Sequence, residues 1–432
     1  MLDSQGLHAA TLRKVSKRLI PFLIILYVTA YLDRVNVGFA ALEMNADLKF
    51  SSAVFGFGSG VFFLGYCLFE VPSNIVLARL GARIWICRIM VSWGIIASAM
   101  TLVKTPTHFH VLRFLLGAAE AGFFPGVIFY LSRWFPASAR ARAIASFMIG
   151  IPLSGIIGGP LSGFLLNLDG RLGLAGWQWL FLIEGIPPIV LGFVVLWYLT
   201  DEPRHANWLS PIERESLERE IAHESRGFNR TAASAEPTTT GVWRTLLHPR
   251  AWSMGAALFL SNTGFYGYLI WSPQIIRSLT GTGHVGAGLI SGAINVGMGI
   301  AMFFNGAHSD RTRERRWHAV LPMLVMAAGF FTTVLLPERI TGLLGLALIA
   351  IGIGAFYPPF WSFASNAYTG PAAAAAIGLV AGIGNSGGFF GPALIGMLKD
   401  STGTYRISFL VLGGMAMASA ALTAWLVRPR GP

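Results

Sequence analysis

The residues of this sequence that could do chemistry are ionisable side chains inside long apolar segments. There are six of them: Asp33, Arg34, Glu70, Arg113, Glu120 and Glu184. If these segments cross a membrane, each charge is costly unless it is paired or hydrated, so each is a candidate functional group. A guanidinium can bind a carboxylate through two parallel hydrogen bonds, and a buried carboxylate can exchange protons. The set indicates binding of an organic anion together with movement of protons.

Helical spacing separates the surroundings of Asp33 from those of Arg34. Adjacent residues on a helix point about 100° apart, so the two side chains face different neighbours. Arg34 shares one helix face with Tyr31 and Tyr27. We predict that this face lines a central cavity in which Arg34 binds the substrate carboxylate. Lysine would be a poor substitute there, because it lacks the planar two-pronged geometry of arginine.

A second candidate pair lies in the fourth apolar segment. Arg113 and Glu120 are seven residues apart, which places them on one helix face about 10 Å from each other. We predict that Asp33 turns toward this helix, that Asp33 and Glu120 carry protons, and that Arg113 forms a structural ion pair with one carboxylate. Alternatively, these residues form a buried network that only locks the two helices together. Glu70 and Glu184 lie nearer the ends of their segments, and we interpret both as structural.

Composition and hydropathy define the elements that position these residues. Of the 432 residues 54% are apolar and 12% are charged, and the mean hydropathy of +0.61 excludes an ordinary soluble enzyme. Apolar runs long enough to span a bilayer occur at 19–41, 53–77, 84–103, 108–131, 142–166, 177–199, 251–276, 285–307, 318–336, 341–366, 373–397 and 405–427. The sequence predicts an all-α membrane protein with twelve transmembrane helices in two six-helix bundles. The bundles cover residues 1–200 and 251–432, and a charged cytoplasmic linker covers 201–250.

The two predicted bundles repeat one another. At an offset of 232 residues, the positions that match are Gly150, Ser154, Gly155, Gly159 and Pro160 with Gly382, Ser386, Gly387, Gly391 and Pro392. Two such halves around a site near the bilayer midplane are the architecture of alternating-access transporters. Lys and Arg concentrate on one side of the alternating spans, at 13–18, 79–88, 133–142, 204–250, 311–316 and 428–430. Because basic loops stay in the cytoplasm, we predict that both termini are cytoplasmic.

Several motifs resemble the major facilitator superfamily. Within it they resemble the anion:cation symporter family, whose members include tartrate, galactonate, phthalate and hydroxyphenylacetate permeases. The motifs are Tyr31 to Asn36 (YLDRVN), Pro72-Ser73-Asn74, Arg113 to Gly117 with Glu120 and Pro125, Arg133 to Pro136, and Gly306 to Arg316. The resemblance implies proton-coupled uptake of a sugar acid, a tartrate-like hydroxy acid or an aromatic carboxylate.

The resemblance also implies particular site residues. Substrate contacts are expected at Tyr31, Tyr66 and Asn385. Gating loops are expected after the second and eighth helices, at Arg79, Arg83, Asp310 and Arg311. The first loop departs from the superfamily pattern, because Ala78 stands where that pattern usually has Asp.

The second half carries no charges that match those of the first. At the repeat offset Arg34 aligns with Tyr266 and Glu120 with Gly352. Its polar and aromatic candidates are Asn262, Tyr266, Tyr268, Trp271, Tyr357, Trp361 and Asn385. Aromatic residues at helical spacing usually only pack, but Asn385 replaces Leu153 of the glycine-rich repeat. We predict that Tyr266, Tyr268, Trp361 and Asn385 contact the neutral part of the substrate, while the first half handles charge and protons.

The sequence therefore favours a secondary active transporter of the bacterial inner membrane. It would import a small organic anion with protons and work as a monomer in the lipid bilayer. A proton-driven exporter or an anion exchanger is one alternative; a membrane-embedded enzyme and a channel are others. No catalytic nucleophile, metal-ligand or cofactor motif stands out, so we expect no enzyme activity, metal or cofactor. The net charge of +12 is assigned to cytoplasmic loops and not to nucleic-acid binding.

Overall fold

The computed structural model describes residues 2–221, 248–336, 338–367 and 371–427, and the regular elements in these ranges are helices. The first half contains α1 (Leu2–Asp47), α2 (Ser52–Leu80), α3 (Ala82–Ala99), α4 (Pro106–Glu120), α5 (Phe123–Trp134), α6 (Ala137–Met148), α7 (Gly150–Leu166) and α8 (Gly176–Tyr198). A surface helix, α9, follows at 211–221. The second half contains α10 (Pro249–Thr280), α11 (His284–Thr312), α12 (Arg316–Leu335), α13 (Arg339–Asn366), α14 (Pro371–Thr402) and α15 (Arg406–Leu426).

These helices agree with the predicted spans. In the described ranges, eleven helical segments are long and apolar enough to cross a membrane, with α4–α5 and α6–α7 each forming one segment. The remaining predicted span is α10, which is 32 residues long and carries the polar run Ser261, Asn262 and Thr263 in its middle. Its length exceeds the roughly 20 residues that a bilayer requires. The predicted all-α fold of two six-helix bundles is confirmed.

The break between α4 and α5 positions the end of α4. Gly122 has φ +86°, a conformation that a residue with a side chain rarely adopts, and a Cβ there would overlap Ser73. The Ser73 hydroxyl donates to the Ala121 carbonyl at 2.6 Å and so satisfies a backbone group that the break frees. As a result α4 stops at Glu120, in the middle of the fourth span.

The two halves meet through backbone contacts at glycines. α2 packs along α14, and α7 packs along α11. A Cβ on Gly56 or Gly396 would overlap the carbonyl of Pro392 or Ser52, and a Cβ on Gly159 would meet the Gly288 carbonyl. Small residues allow this close approach, because without water the association of membrane helices depends on packing.

Polar contacts join the halves on the face remote from the chain termini, where α1 ends and α2 begins. The Asp400 carboxylate accepts hydrogen bonds from the backbone N–H groups of Ser52 at 2.9 Å and Ala53 at 2.8 Å. His284 Nδ1 lies 3.3 Å from Glu43 Oε1. Towards the end of α14 that lies on the side of the chain termini, a Cβ built on Gly378 or Gly382 would meet no described atom within 4 Å. The halves are therefore held together at the remote face in this conformation.

The linker is described only in its first part. Lys14 Nζ lies 2.8 Å from Glu213 Oε2 of α9, and the Lys14 ammonium holds the pKa of Glu213 below its usual range. Residues 222–247 of the predicted linker and the predicted basic positions 428–430 lie outside the described residues. The boundaries at 200 and 250 stay predictions.

We expect Gly396→Ala to separate the halves at the remote face, because its Cβ would overlap the Ser52 carbonyl. Spin labels at positions 49 and 401 should report a longer distance distribution than in the parent protein. Gly414→Ala is the matched control, since a Cβ at Gly414 would meet nothing within 4 Å. Unchanged distances in Gly396→Ala would contradict the glycine contact.

Candidate functional site

The centre of the site is an ion pair between Arg34 of α1 and Glu120 of α4. Arg34 Nε donates to Glu120 Oε1 at 2.8 Å, and Arg34 Nη2 contacts the same oxygen. The two side chains are 11% and 1% exposed, so Arg34 is the more accessible partner. Glu120 Oε2 is buried and has no hydrogen-bond partner in the described part of the chain. The pair thus satisfies the charges but leaves one carboxylate oxygen unused.

Aromatic rings from both halves surround the Arg34 guanidinium. Its Cζ lies 5.0 Å from the ring centres of Tyr31 and Tyr66, within the range of a cation–π interaction. From the second half, Tyr266 packs on Phe63 with ring centres 4.3 Å apart, and its side chain lies near Arg34 and Tyr31. Three of the predicted substrate contacts therefore meet around one cation between the halves.

A polar pair of the second half lies beside these tyrosines. The Tyr357 hydroxyl donates to Asn262 Oδ1 at 2.7 Å, and Asn262 Nδ2 donates to the Gly384 carbonyl at 3.0 Å. Phe265, the residue before Tyr266, packs against Tyr357 with ring centres 6.0 Å apart. Sequence analysis named Asn262 and Tyr357 as candidates without selecting them. Each could have been recognised as a site residue because it places a polar group in the middle of an apolar span.

The other predicted substrate contacts of the second half differ in where the structure places them. Asn385 is half-buried and is the residue after Gly384, whose backbone carbonyl accepts from Asn262. Trp361 is half-buried and stands one helical turn after Tyr357. Tyr268 is only 2% exposed. Residues two positions apart on an α-helix point about 200° apart, so Tyr268 lies on the opposite side of α10 from Tyr266, which faces Arg34. The structure does not bring Tyr268 to the site.

Asp33 lies against helices other than the predicted one. Its Oδ1 accepts from Asn36 Nδ2 at 3.1 Å, and its Oδ2 accepts from Trp93 Nε1. We predicted that Asp33 would turn toward α4, but it faces α3 through Trp93, and Arg34 faces α4 instead. The spacing of Asp33 and Arg34 predicted that the two side chains point about 100° apart. It did not predict which of them faces α4, because that depends on how α1 packs against its neighbours. Neither Trp93 nor Asn36 was predicted as a partner of Asp33. Asn36 could have been predicted, because it lies three residues after Asp33 and therefore on the same helix face.

Arg113 does not form the predicted ion pair. Its Nη2 donates to the Ser59 carbonyl at 3.3 Å, and its Cζ lies 4.9 Å from the ring centre of Phe62. Its Nε and Nη1 are buried without hydrogen-bond partners among the described residues. Arg113, two turns before the end of α4, faces α2, while Glu120 at the end of α4 reaches Arg34. Arg113 is nevertheless an electrostatic neighbour of both Glu120 and Asp33.

The two carboxylates interpreted as structural differ from one another. Glu70 is half-buried, and its carboxylate is an electrostatic neighbour of Arg34. Glu184 is 3% exposed, and its Oε1 accepts from the Ser162 hydroxyl at 2.9 Å. Its position in the middle third of α8 buries it fully, so the expectation of a location near a span end was wrong.

The predicted gating loops lie at the terminal face. Arg79 and Arg311 are exposed. The Arg83 backbone N–H, at the start of α3, donates to Asp201 Oδ1 at 2.9 Å, so a carboxylate does cap this loop although Ala78 replaces the usual Asp. In the second loop Asp310 Oδ1 lies 2.7 Å from Arg315 Nη2. Neither of these two contacts joins the first half to the second.

The site contains a cation, carboxylates and hydroxyls at the contact between two repeated halves, and comparisons with known proteins agree with that arrangement. The sequence model of the family "Major Facilitator Superfamily" matches residues 23–392 of this chain. The chain belongs to this superfamily. Across the described ranges, His, Cys, Asp and Glu form no cluster of three that could hold a metal ion.

Relatives place the chain among membrane transporters of this superfamily. A protein of Agrobacterium vitis provisionally named a tartrate transporter is 46% identical over 425 residues, which cover 98% of this chain and 93% of the relative. A quinolone resistance transporter of Acinetobacter baumannii is 36% identical over 412 residues, which cover 94% of this chain and 93% of the relative. A solved bacterial homologue of the human lysosomal transporter Spinster has the same fold, with a TM-score of 0.76, 17% identity and coverage of 95% and 96%. The chain is a multi-pass transporter and not an enzyme.

We expect Trp93→Phe to destabilise the protein more than Trp271→Phe. Both tryptophans are 0% exposed, but Trp93 Nε1 donates to the Asp33 carboxylate while Trp271 Nε1 donates to the neutral Pro392 carbonyl at 3.2 Å. Hydrogen bonds to charged groups are stronger, so the extra cost should be about 1 kcal/mol. Thermal unfolding of the two purified variants would measure it. An equal loss would show that Asp33 is uncharged in this conformation.

Proposed function

We propose that this transporter carries a small organic carboxylate together with protons by alternating access. The observation that supports this most is the Arg34–Glu120 pair between the halves, surrounded by Tyr31, Tyr66 and Tyr266. A free carboxylate in solution is the chemical equivalent of the Glu120 side chain. It can therefore compete for the same guanidinium, which Glu120 contacts through a single oxygen.

Competition for Arg34 would couple the substrate to the proton. While Glu120 is ionised it holds Arg34, and a substrate carboxylate would have to displace a buried counter-charge. When Glu120 takes up a proton it loses its charge, and Arg34 needs another anion because an unpaired buried cation is costly. Substrate and proton then bind together and leave together. A proton gradient supplies about 1.4 kcal/mol per pH unit, enough for tenfold accumulation per proton.

The second half would recognise the rest of the substrate. Asn262 and Tyr357 already bond to one another. Asn385 follows Gly384, the backbone partner of Asn262, and Trp361 stands one helical turn after Tyr357. These groups are neutral, so they suit hydroxyl groups or a ring more than a second charge. The relative named for tartrate transport supports a hydroxy acid as the substrate class. The protein would act as a monomer in the bacterial inner membrane, with both termini in the cytoplasm and the two loops at Arg79–Arg83 and Asp310–Arg311 gating that side.

Export is the second candidate function, because one relative is named for quinolone resistance. Arg34 would then bind the carboxylate of an outgoing compound and Glu120 would return the proton. The same residues serve both directions, so the direction depends on substrate and gradient.

Proteoliposome uptake tests the proposal. Radiolabelled tartrate, galactonate and hydroxyphenylacetate would be offered with an acidic exterior and an alkaline lumen. Accumulation above the external concentration that a protonophore abolishes would support symport. Accumulation driven only by the reversed gradient would support export, and equal behaviour of liposomes with and without protein would reject all three substrates.

Glu120→Gln should abolish pH-driven accumulation and retain exchange of labelled for unlabelled substrate. The amide resembles a permanently protonated carboxyl, so Arg34 is free for substrate but no proton can be released. Glu70→Gln is the matched control, because Glu70 also lies near Arg34 without bonding to it, and it should keep accumulation. Accumulation by Glu120→Gln at the parent level would eliminate Glu120 as an obligatory proton carrier.

Asn385→Ala should change the ranking of related acids by roughly tenfold, because a buried donor left unpaired costs about 1–3 kcal/mol. Its pH dependence should remain that of the parent protein. Tyr268→Phe provides the comparison, since Tyr268 points away from Arg34 and should not change the ranking. Uptake of several carboxylates at two external pH values measures both effects. A uniform change across all acids in Asn385→Ala would argue against a contact with the substrate.

A further inference from the structure

A second carboxylate lies behind Asp33, away from the Arg34 pair. Glu184 of α8 is 3% exposed, and Asp33 of α1 is 2% exposed. Glu184 interacts electrostatically with Asp33 and has the Asn36 and Ser162 side chains as its other polar neighbours. The proposed function uses Glu120 as the proton carrier and leaves Asp33 and Glu184 without a role.

The cluster contains no positive charge. By the 4.0 Å criterion, no Arg, Lys or His of the described ranges forms an ion pair with Asp33 or Glu184. The helices packed against α8 are α1, α3 and α7. α7 contains no charged residue, and Arg88 of α3 lies over Trp85 at 3.9 Å. The cations nearest to the pair are Arg34 of α1, which is bound to Glu120, and Arg113 of α4, which is an electrostatic neighbour of Asp33 without an ion pair to it.

The hydrogen bonds of the cluster lack one donor. Trp93 and Asn36 donate to the two oxygens of Asp33, and Ser162 donates to Glu184 Oε1. Glu184 Oε2 and Asn36 Oδ1 are both buried acceptors that have no partner among the described residues. An ionised carboxylate and an amide oxygen can only accept, so neither can satisfy the other. A proton on Glu184 Oε2 would supply the missing donor to Asn36 Oδ1.

We propose that Glu184 is a second proton-binding residue of the transport cycle, sharing one proton with Asp33 across the Asn36 amide. The proton resides on Glu184 in this conformation, and Asp33 is the carboxylate that Trp93 and Asn36 stabilise. Asp33 is also an electrostatic neighbour of Glu120, so the shared proton is coupled to the Arg34 pair. This inference rests on the proposed function for its role in coupling, and it predicts two exchangeable protons per cycle, one at Glu120 and one on the Asp33 and Glu184 pair.

Infrared difference spectroscopy of the full-length protein tests the proton itself without any substrate. The parent protein should show the C=O stretch of a protonated carboxyl that Glu184→Gln lacks and Glu120→Gln retains. Asp33→Asn should change the pH at which this band disappears, because the two carboxyls share the proton. If Glu184→Gln does not fold, Ser162→Ala should shift the frequency of the band, since Ser162 donates to Glu184. A band unaffected by all of these substitutions would overturn the proposal.

The proton-to-substrate ratio tests the role in coupling. In proteoliposomes with the membrane potential held at zero, a tenfold tartrate gradient is balanced by about half a pH unit for two protons and about one pH unit for one. Glu184→Gln should therefore double the balancing gradient, and Glu184→Asp should keep the parent value. A missing infrared band with an unchanged ratio would make Glu184 a fixed hydrogen-bond donor and overturn the proposal. If the parent protein moves no tartrate, the proposed function fails for this substrate, and the infrared result still decides whether Glu184 holds the shared proton.

Discussion

A guanidinium in an apolar environment must have a counter-charge, and the architecture around Arg34 depends on that requirement. Glu120 supplies the charge through one oxygen, and the break after α4 places Glu120 at the level of Arg34. Gly122 permits the break, and Ser73 satisfies the carbonyl that it frees. A single electrostatic constraint therefore accounts for an interrupted helix, a left-handed glycine and a buried serine that would otherwise be unrelated features.

The same constraint explains why the ion pair lies where the halves meet. Glu120 also belongs to the first half, and if it stayed ionised it would hold the cation and leave nothing for a ligand to bind. Here the second half adds no charge and places Tyr266 and the Asn262–Tyr357 pair near Arg34. The glycine contacts along α2 and α14 bring these groups within reach without side chains between the backbones. The close packing of the halves therefore brings neutral groups, and no additional charge, near Arg34.

The fold could be predicted from sequence because hydropathy depends on each residue alone. The predicted spans matched the helices to within about five residues, except that α1 begins at Leu2, well before the predicted start at 19. The site could be predicted only in part. Spacing showed that Asp33 and Arg34 face different neighbours, but the rotation of α1 decides which of them meets α4, and rotation depends on packing. The pairing of Arg113 failed for the same reason. Trp93 was missed because a tryptophan in an apolar span carries no sign of the charge that it bonds.

The two carboxyl clusters of the first half differ in a way that suits different tasks. Glu120 bonds to a cation, so its ionised form is stabilised as long as Arg34 has no other partner. Asp33 and Glu184 have only neutral donors, and these are too few for two charges. In the proposed cycle, a proton at Glu120 would change what Arg34 binds, whereas a proton on the other pair would change only the charge buried between α1, α3 and α8. The first would respond to the substrate. The second would be out of reach of a ligand carboxylate, because no cation of the described residues bonds to Asp33 or Glu184.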